Sequence, residues 1–246
     1  LFLFFKKEML PSCLIIGAGD GLGAAIARAF AAEGLSVCLT RRARHLDAAE
    51  ALAASIPNAR AYGMDARNES DMVSLVDSIE SEIGPLEVVV FNIGANVRFG
   101  VRETTARVYS KVWEMAAFAG FLTGREAARV MAPRRRGTIL FTGATASVRG
   151  GEGFAAFAGA KHALRALAQS MAREFGPLGI HVAHIVIDGA IDGAFTRANL
   201  PDAAARLADG DILDPAEIAR NYVWLHRQRR SAWTHEMDVR PWREHW

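Results

Sequence analysis

Short apolar runs alternate along this chain with longer stretches in which apolar residues return every three or four positions. Residues 13–16, 37–40, 59–64, 86–91, 138–142, 181–187 and 236–239 form the short runs, and their lengths predict strands. Residues 22–32, 44–55, 69–83, 105–131, 154–175 and 215–227 carry the helical spacing. Val88, Val89, Val90 and Phe91 have no polar residue between them, as expected of a strand covered on both faces. Gly34, Gly84 with Pro85, and Gly176 with Pro177 each stand between a helical stretch and the next run, where a helix should stop. This regular alternation predicts a parallel sheet with helices on both faces and right-handed crossovers. Residues 192–213 break the rhythm; they read as an irregular, alanine-rich segment of the kind that covers a binding site.

The composition fits one such domain. The chain has 246 residues, 51% of them hydrophobic, enough to bury a substantial single core. A net charge of +2 with interspersed signs gives no basis for nucleic-acid binding, and the runs at 134–136 and 227–230 read as solvated turns. Cys13 and Cys38 both fall inside apolar strands, which predicts reduced thiols in a cytoplasmic protein, with no disulfide and no metal-ligand spacing. The apolar opening at 1–5 is too short to span a bilayer, so no membrane association is expected. Met9 lies just before the first strand, so residues 1–8 read as an N-terminal extension and 9–246 as the domain.

The first strand leads into Gly17-Ala18-Gly19-Asp20-Gly21-Leu22-Gly23 and then a helix. Glycines there allow a tight turn and let the helix N-terminus approach a pyrophosphate, whose charge the helix dipole favours. The second strand ends in Arg41 and Arg42, where an acidic residue would accept the ribose 2′-hydroxyl of NAD. Guanidinium groups suit a 2′-phosphate instead, so NADP(H) is expected over NAD(H). The Gly-x-x-x-Gly-x-Gly spacing, followed in order by Asp65-Ala66 and by Asn92-Ile93-Gly94 after the third and fourth strands, resembles the short-chain dehydrogenase/reductases over residues 12–240. The resemblance implies a doubly wound, Rossmann-like three-layer α/β fold with a seven-stranded parallel sheet. It assigns Asp65 to the adenine amino group and the backbone around Gly189 and Ile191 to the nicotinamide amide. It also marks departures. Ile16 stands where a turn-bracing Thr is usual, Phe91 replaces the first Asn of Asn-Asn-Ala-Gly, and Asp188 replaces the Pro before Gly189.

The largest departure is catalytic. In similar proteins a Tyr donates a proton, a Lys four residues on binds the nicotinamide ribose, a Ser orients the carbonyl and an Asn holds a water relay. Carried onto this chain, Lys161 is retained while Tyr becomes Phe157, Ser becomes Ala144 and Asn becomes Ala116. A phenyl ring offers no proton, and general acid catalysis is worth about 10²–10⁴ in rate. Substitute donors within reach in sequence are Thr145, Ser147, Tyr109, His162 and a water ordered by Lys161. The stretches 105–131 and 154–175 are rich in small residues (Ala116, Ala117, Ala119, Gly120, Ala163, Ala166), and the resemblance implies that they pair between subunits of a homodimer or homotetramer.

Three functions stay open on the sequence alone. The first is an NADP(H)-dependent oxidoreductase with a non-standard proton donor, acting on a small apolar or pre-activated substrate. The second is a reductase of C=C or C=N bonds. The third is a nucleotide-binding regulatory or partner protein that kept the fold and lost the chemistry.

Overall fold

The computed structural model describes residues 9–244; the expected extension at 1–8 lies outside them. Seven strands, β1 (Ser12–Ile16), β2 (Ser36–Arg41), β3 (Ala59–Gly63), β4 (Leu86–Phe91), β5 (Gly137–Thr142), β6 (Ile180–Ile187) and β7 (Glu236–Val239), form one sheet in the order β3-β2-β1-β4-β5-β6-β7. Every pairing is parallel. The period of two along each strand divides the core. Leu14, Ile16, Phe91, Phe141 and Val182 face one layer, while Cys13, Ile15, Val90, Leu140 and Ile185 face the other.

The first layer is built by α3 (Glu69–Ser78), α5 (Ala119–Met131) and α6 (Ala155–Phe175), with Met72, Leu122 and Leu164 among its buried contributors. The second is built by α1 (Leu22–Ala32), α2 (Leu46–Ala54) and α9 (Pro215–Arg227), with Ile26, Ala53 and Tyr222. Helices cap where the sequence provides an acceptor. The Asn68 side chain accepts from the backbone N–H groups of Ser70 and Asp71, and the Asp214 side chain accepts from that of Ala216, beside Pro215.

Three stretches differ from their expected form. The expected helix at 105–131 comprises α4 (Ala106–Trp113), a wide turn of π-helix at Glu114–Phe118, and α5. The expected helix at 69–83 likewise ends in a π turn at Ile79–Ile83. Residues 192–213 are not irregular. They hold two short helices, α7 (Ala194–Asn199) and α8 (Ala203–Ala208), because the alanines that obscure an amphipathic pattern are the best helix formers. Among the described residues no helix is long and apolar enough to cross a membrane.

Candidate active site

Strand order reverses between β1 and β4, and in a doubly wound sheet the crevice beyond the strand C-termini at that point is where ligands bind. Two clefts open there. The first, of about 350 Å³, is lined by Gly17, Gly19, Arg41, Arg42, Asp65, Ala66, Asn92 and Gly94. The second, of about 700 Å³, is lined by Leu22, Ala144, Thr145, Phe157, Lys161, Gly189 and Ile191. Asn92, Ile93 and Gly94 belong to both, so the clefts form one groove across the end of β4.

The glycine turn is held from the neighbouring strand. The Gly17 N–H donates to Thr40 Oγ1 at 3.3 Å, and the Ala18 N–H donates to the Thr40 carbonyl at 3.0 Å. Thr40 therefore supplies from β2 the hydroxyl that Ile16 lacks. Asn92 Nδ2 adds a bond of 3.1 Å to the Gly17 carbonyl. Gly17 has φ +92°, and a Cβ on Gly23 would lie 2.8 Å from Ala18 Cα, so turn and helix pack at a distance only glycine allows. Around Gly19 and Gly94 a Cβ would meet nothing within 4 Å, which leaves their backbone open to a ligand. The α1 N-terminus carries no side-chain cap and no acidic residue in its first turn. Asp20 and Gly21 line neither cleft; they border a shallow outer depression with Arg28 and Arg197.

Asp65 stands at the far end of the first cleft, where Arg67 already engages it. Its carboxylate accepts from Arg67 Nε at 2.9 Å and Nη2 at 2.5 Å, and these bonds hold it near 2, well below the usual carboxylate range. Arg41, Arg42 and Arg67 surround it and leave that end basic.

Lys161 sits at the floor of the second cleft, 2% exposed. Its Nζ donates to the Ile93 carbonyl at 3.0 Å and the Thr142 carbonyl at 2.8 Å. Burial without a carboxylate partner pushes the amine down to about 7. One turn earlier on α6, the Phe157 ring lines the same cleft with its centroid 5.8 Å from Nζ.

The groups named as substitute proton donors separate clearly. Ser147 is fully buried, and its Oγ accepts from the Ala144 N–H at 3.1 Å, so it braces the loop after β5 and does not line the cleft. Tyr109 is on α4 with its hydroxyl against Gly159, outside the cleft. His162 Nδ1 lies 2.9 Å from the Ala158 carbonyl, also outside. Thr145 does line the cleft, and its hydroxyl donates to Oδ1 of the buried Asp188 at the end of β6. Arg149 Nη2, on the cleft wall, lies 3.4 Å from the same oxygen. Asp188 was visible in the sequence only as a missing proline; its pairing with Thr145 requires the parallel registry of β5 and β6.

Two further residues depart from expectation. Ala116 lines neither cleft but sits in the π turn, packed with Val112, Ala156 and Ala160. Gly120 is equally internal, because a Cβ there would lie 2.4 Å from Leu164 Cδ1. Ala116, Ala117, Ala119 and Gly120 are buried within the chain, with Ala116 against α6 and Gly120 against both α6 and β4 of their own domain. The outward face of α4 and α5 carries Tyr109, Trp113 and Phe121 instead, with Trp113, Phe118 and Phe121 stacked in series. Around the second cleft the sequence did not single out Phe154 or Phe195, whose rings add to its apolar wall.

A family profile described as enoyl-(acyl carrier protein) reductase matches residues 17–237. The chain belongs to the short-chain dehydrogenase/reductase family. This family of oxidoreductases includes a short-chain dehydrogenase from Rhodopseudomonas palustris, whose crystal structure is 46% identical, superposes with a TM-score of 0.80, and covers 94% of this chain and 99% of its own. The cyclic-di-GMP-binding biofilm dispersal mediator protein of Escherichia coli (strain K12) is 34% identical over 86% of this chain and 87% of its own length. The (21S)-21-acetoxyl-apo-melianone synthase of Melia azedarach is 32% identical over 69% of this chain but only 63% of its own length, so the match spans under two thirds of that relative. Among the described residues no group of three or more His, Cys, Asp or Glu is placed to hold a metal ion.

Proposed function

We propose that this protein is an NADP(H)-dependent oxidoreductase acting on a small apolar or pre-activated carbonyl compound, with Thr145 and Asp188 in place of the tyrosine found in similar enzymes. The observation that carries the reading is the single groove that runs from Arg41 and Arg42 past Asn92 and Gly94 to Lys161. The residues present fit a dinucleotide. Uncapped N–H groups at the start of α1 and the open backbone of Gly19 suit a pyrophosphate, Arg41 and Arg42 suit a 2′-phosphate, and Lys161 would donate to the nicotinamide ribose. Backbone at Gly189 and Ile191 would orient the nicotinamide amide. When bound, the nicotinamide supplies the hydride donor or acceptor.

Phe157 and Ala144 give no proton and no hydrogen bond to a substrate oxygen. Of the three threonines that line the cleft, Thr142 pairs with Tyr222 and Thr196 donates to the Ile191 carbonyl, while Thr145 donates to a carboxylate, Asp188. During oxidation of an alcohol, Thr145 Oγ1 takes the substrate hydroxyl proton as its own proton passes to Asp188; reduction reverses both transfers. The apolar wall of Leu22, Ile93, Phe154, Phe157 and Phe195 favours a substrate without charge, and the E. coli relative leaves substrate identity open because its name describes a nucleotide-binding mediator.

That name, together with Phe157, favours one second reading, a nucleotide-binding regulatory or partner protein without turnover. Transfer of tritium from stereospecifically labelled NADPH to a trapped product decides between them; cofactor binding with no transfer to any acceptor selects the second. The stacked Trp113, Phe118 and Phe121 support assembly as a homodimer or homotetramer, and the two buried free thiols, with Cys38 pushed up to about 12 by burial, suit a reducing cytoplasm.

A further inference from the structure

Lys161 has surroundings that its expected ribose contact does not require. The chain contains four lysines, Lys6, Lys7, Lys111 and Lys161, against a large excess of arginine. Lys111 is exposed on α4, whereas Lys161 is enclosed at the base of a 700 Å³ cleft. Its polar partners among the described residues are two carbonyl oxygens, those of Ile93 and Thr142. A carboxylate there would hold the amine protonated; carbonyl oxygens carry no charge and accept from a neutral amine too, which has two protons to give. Both protons of the neutral form are used by these carbonyls, so the lone pair takes the remaining tetrahedral direction. Burial brings that neutral form into reach near pH 7. A phenol at position 157 would meet the amine with a hydrogen-bonding oxygen, and Phe157 presents a ring face instead. The cleft lining is largely apolar and includes the rings of Phe154, Phe157 and Phe195.

We propose that Lys161 is a nucleophilic amine that captures apolar aldehydes entering the second cleft, holding them as imines. Nζ adds to the aldehyde carbon, and the carbonyl π electrons become the oxygen's lone pair. The oxygen then leaves as water with the two protons of the neutral amine, and the nitrogen lone pair completes the C=N bond. Nothing is oxidised or reduced. Hydrolysis returns the amine and the aldehyde, so capture is reversible and competes with any ligand that needs the same ammonium group.

The inference stands on the cleft and is independent of the cofactor reading. The test uses the full chain without cofactor, 2-naphthaldehyde as probe at neutral pH, and sodium cyanoborohydride to fix the imine as a secondary amine. Peptide mass spectrometry then locates the naphthylmethyl group. The expected result is modification of Lys161 at least tenfold faster than of Lys111. A label confined to Lys6, Lys7, Lys111 or the chain's amino group, or a Lys161 rate no greater than that of Lys111, overturns the proposal. A second variant, Ala144→Phe, narrows the cleft and leaves the amine in place; it is expected to slow Lys161 labelling at least tenfold, and an unchanged rate also overturns the proposal. Saturating NADPH separates the two readings. Protection of Lys161 supports both. Labelling that persists beside NADPH supports aldehyde capture and removes the ribose contact from the proposed function.

Discussion

The hydroxyl of Thr145, in the turn after β5, donates to the buried carboxylate of Asp188, just past the end of β6, and Thr145 shares the lining of one cleft with Phe157. Two sequence departures that look unrelated, a lost tyrosine and a lost proline, thus both bear on one cleft, the second through Thr145. In the proposed reaction, Thr145→Val is expected to lower turnover of an activated ketone about 10²-fold, the lower end of what general acid–base catalysis contributes. Thr145→Ser should retain most of it. Steady-state kinetics alongside NADPH titration checks this; equal rates for Val and wild type would remove Thr145 from the chemistry.

Arg41 and Arg42 set the expected cofactor preference. Fluorescence titration should find NADPH bound at least tenfold more tightly than NADH, about 1.4 kcal/mol. Arg41→Asp should reverse the order, because a carboxylate accepts from a 2′-hydroxyl and repels a 2′-phosphate.

Lys161 links the site to stability. Its amine is pushed down to about 7 in the folded chain from an ordinary value of 10.5, so between those pH values the unfolded chain binds more protons. The contribution to stability is fully present above the unfolded value and is lost as pH falls toward about 7. Urea melts should therefore show wild type gaining on Lys161→Met between pH 7 and pH 9. Parallel curves for the two proteins would mean that the amine is not desolvated. Lys161→Ala should also weaken NADPH binding if the ribose contact exists.

Restoring the missing tyrosine is expected to achieve little. Phe157→Tyr places a phenol near Nζ, but Ala144 still lacks a hydroxyl, and groups that act as a unit are not additive. Phe157→Tyr with Ala144→Ser should exceed the single change on an activated ketone by more than tenfold. Adding Ala116→Asn should lower the melting temperature, because Ala116 is fully buried against Ala156 and Ala160 and has no room for an amide. Full activity from Phe157→Tyr alone would contradict this account of the site.

The aromatic ladder on the outer face of α4 and α5 gives an assembly prediction. Trp113→Glu with Phe121→Glu should convert an oligomer to a monomer in light scattering, while circular dichroism stays unchanged, since both side chains are partly exposed.

Much of this was legible in the sequence, and the limits have physical causes. The central strands could be read because β1, β4, β5 and β6 are largely apolar runs buried on both faces, and β4 matches its expected bounds at both ends. Lys161 and the glycine turn could be read because their spacing is local. Residues 192–213 could not, since alanine satisfies a helix without marking a face. The pairing of Asp65 with Arg67, two residues on, was not read from the sequence for a different reason: sequence distance alone does not say which partner an acid takes. Ala116 and Gly120 read equally well as an intermolecular seam or an internal one, and only the packing of α6 decides between them.

Residues 192–213 leave the domain and return to it at adjacent points. Ile191 bridges Leu213, the Asp192 N–H donates to the Leu213 carbonyl, and the Leu213 N–H donates to the Ala190 carbonyl. The segment is thus closed at its base by backbone pairing that any side chains can form, while Asp192 and Arg197 clasp within it. Lengthening or replacing it costs little loop-closure entropy and leaves the sheet registry untouched. The fold here separates two kinds of inheritance: a groove whose residues are fixed by the strand ends, and a detachable cover free to be rewritten for each new substrate.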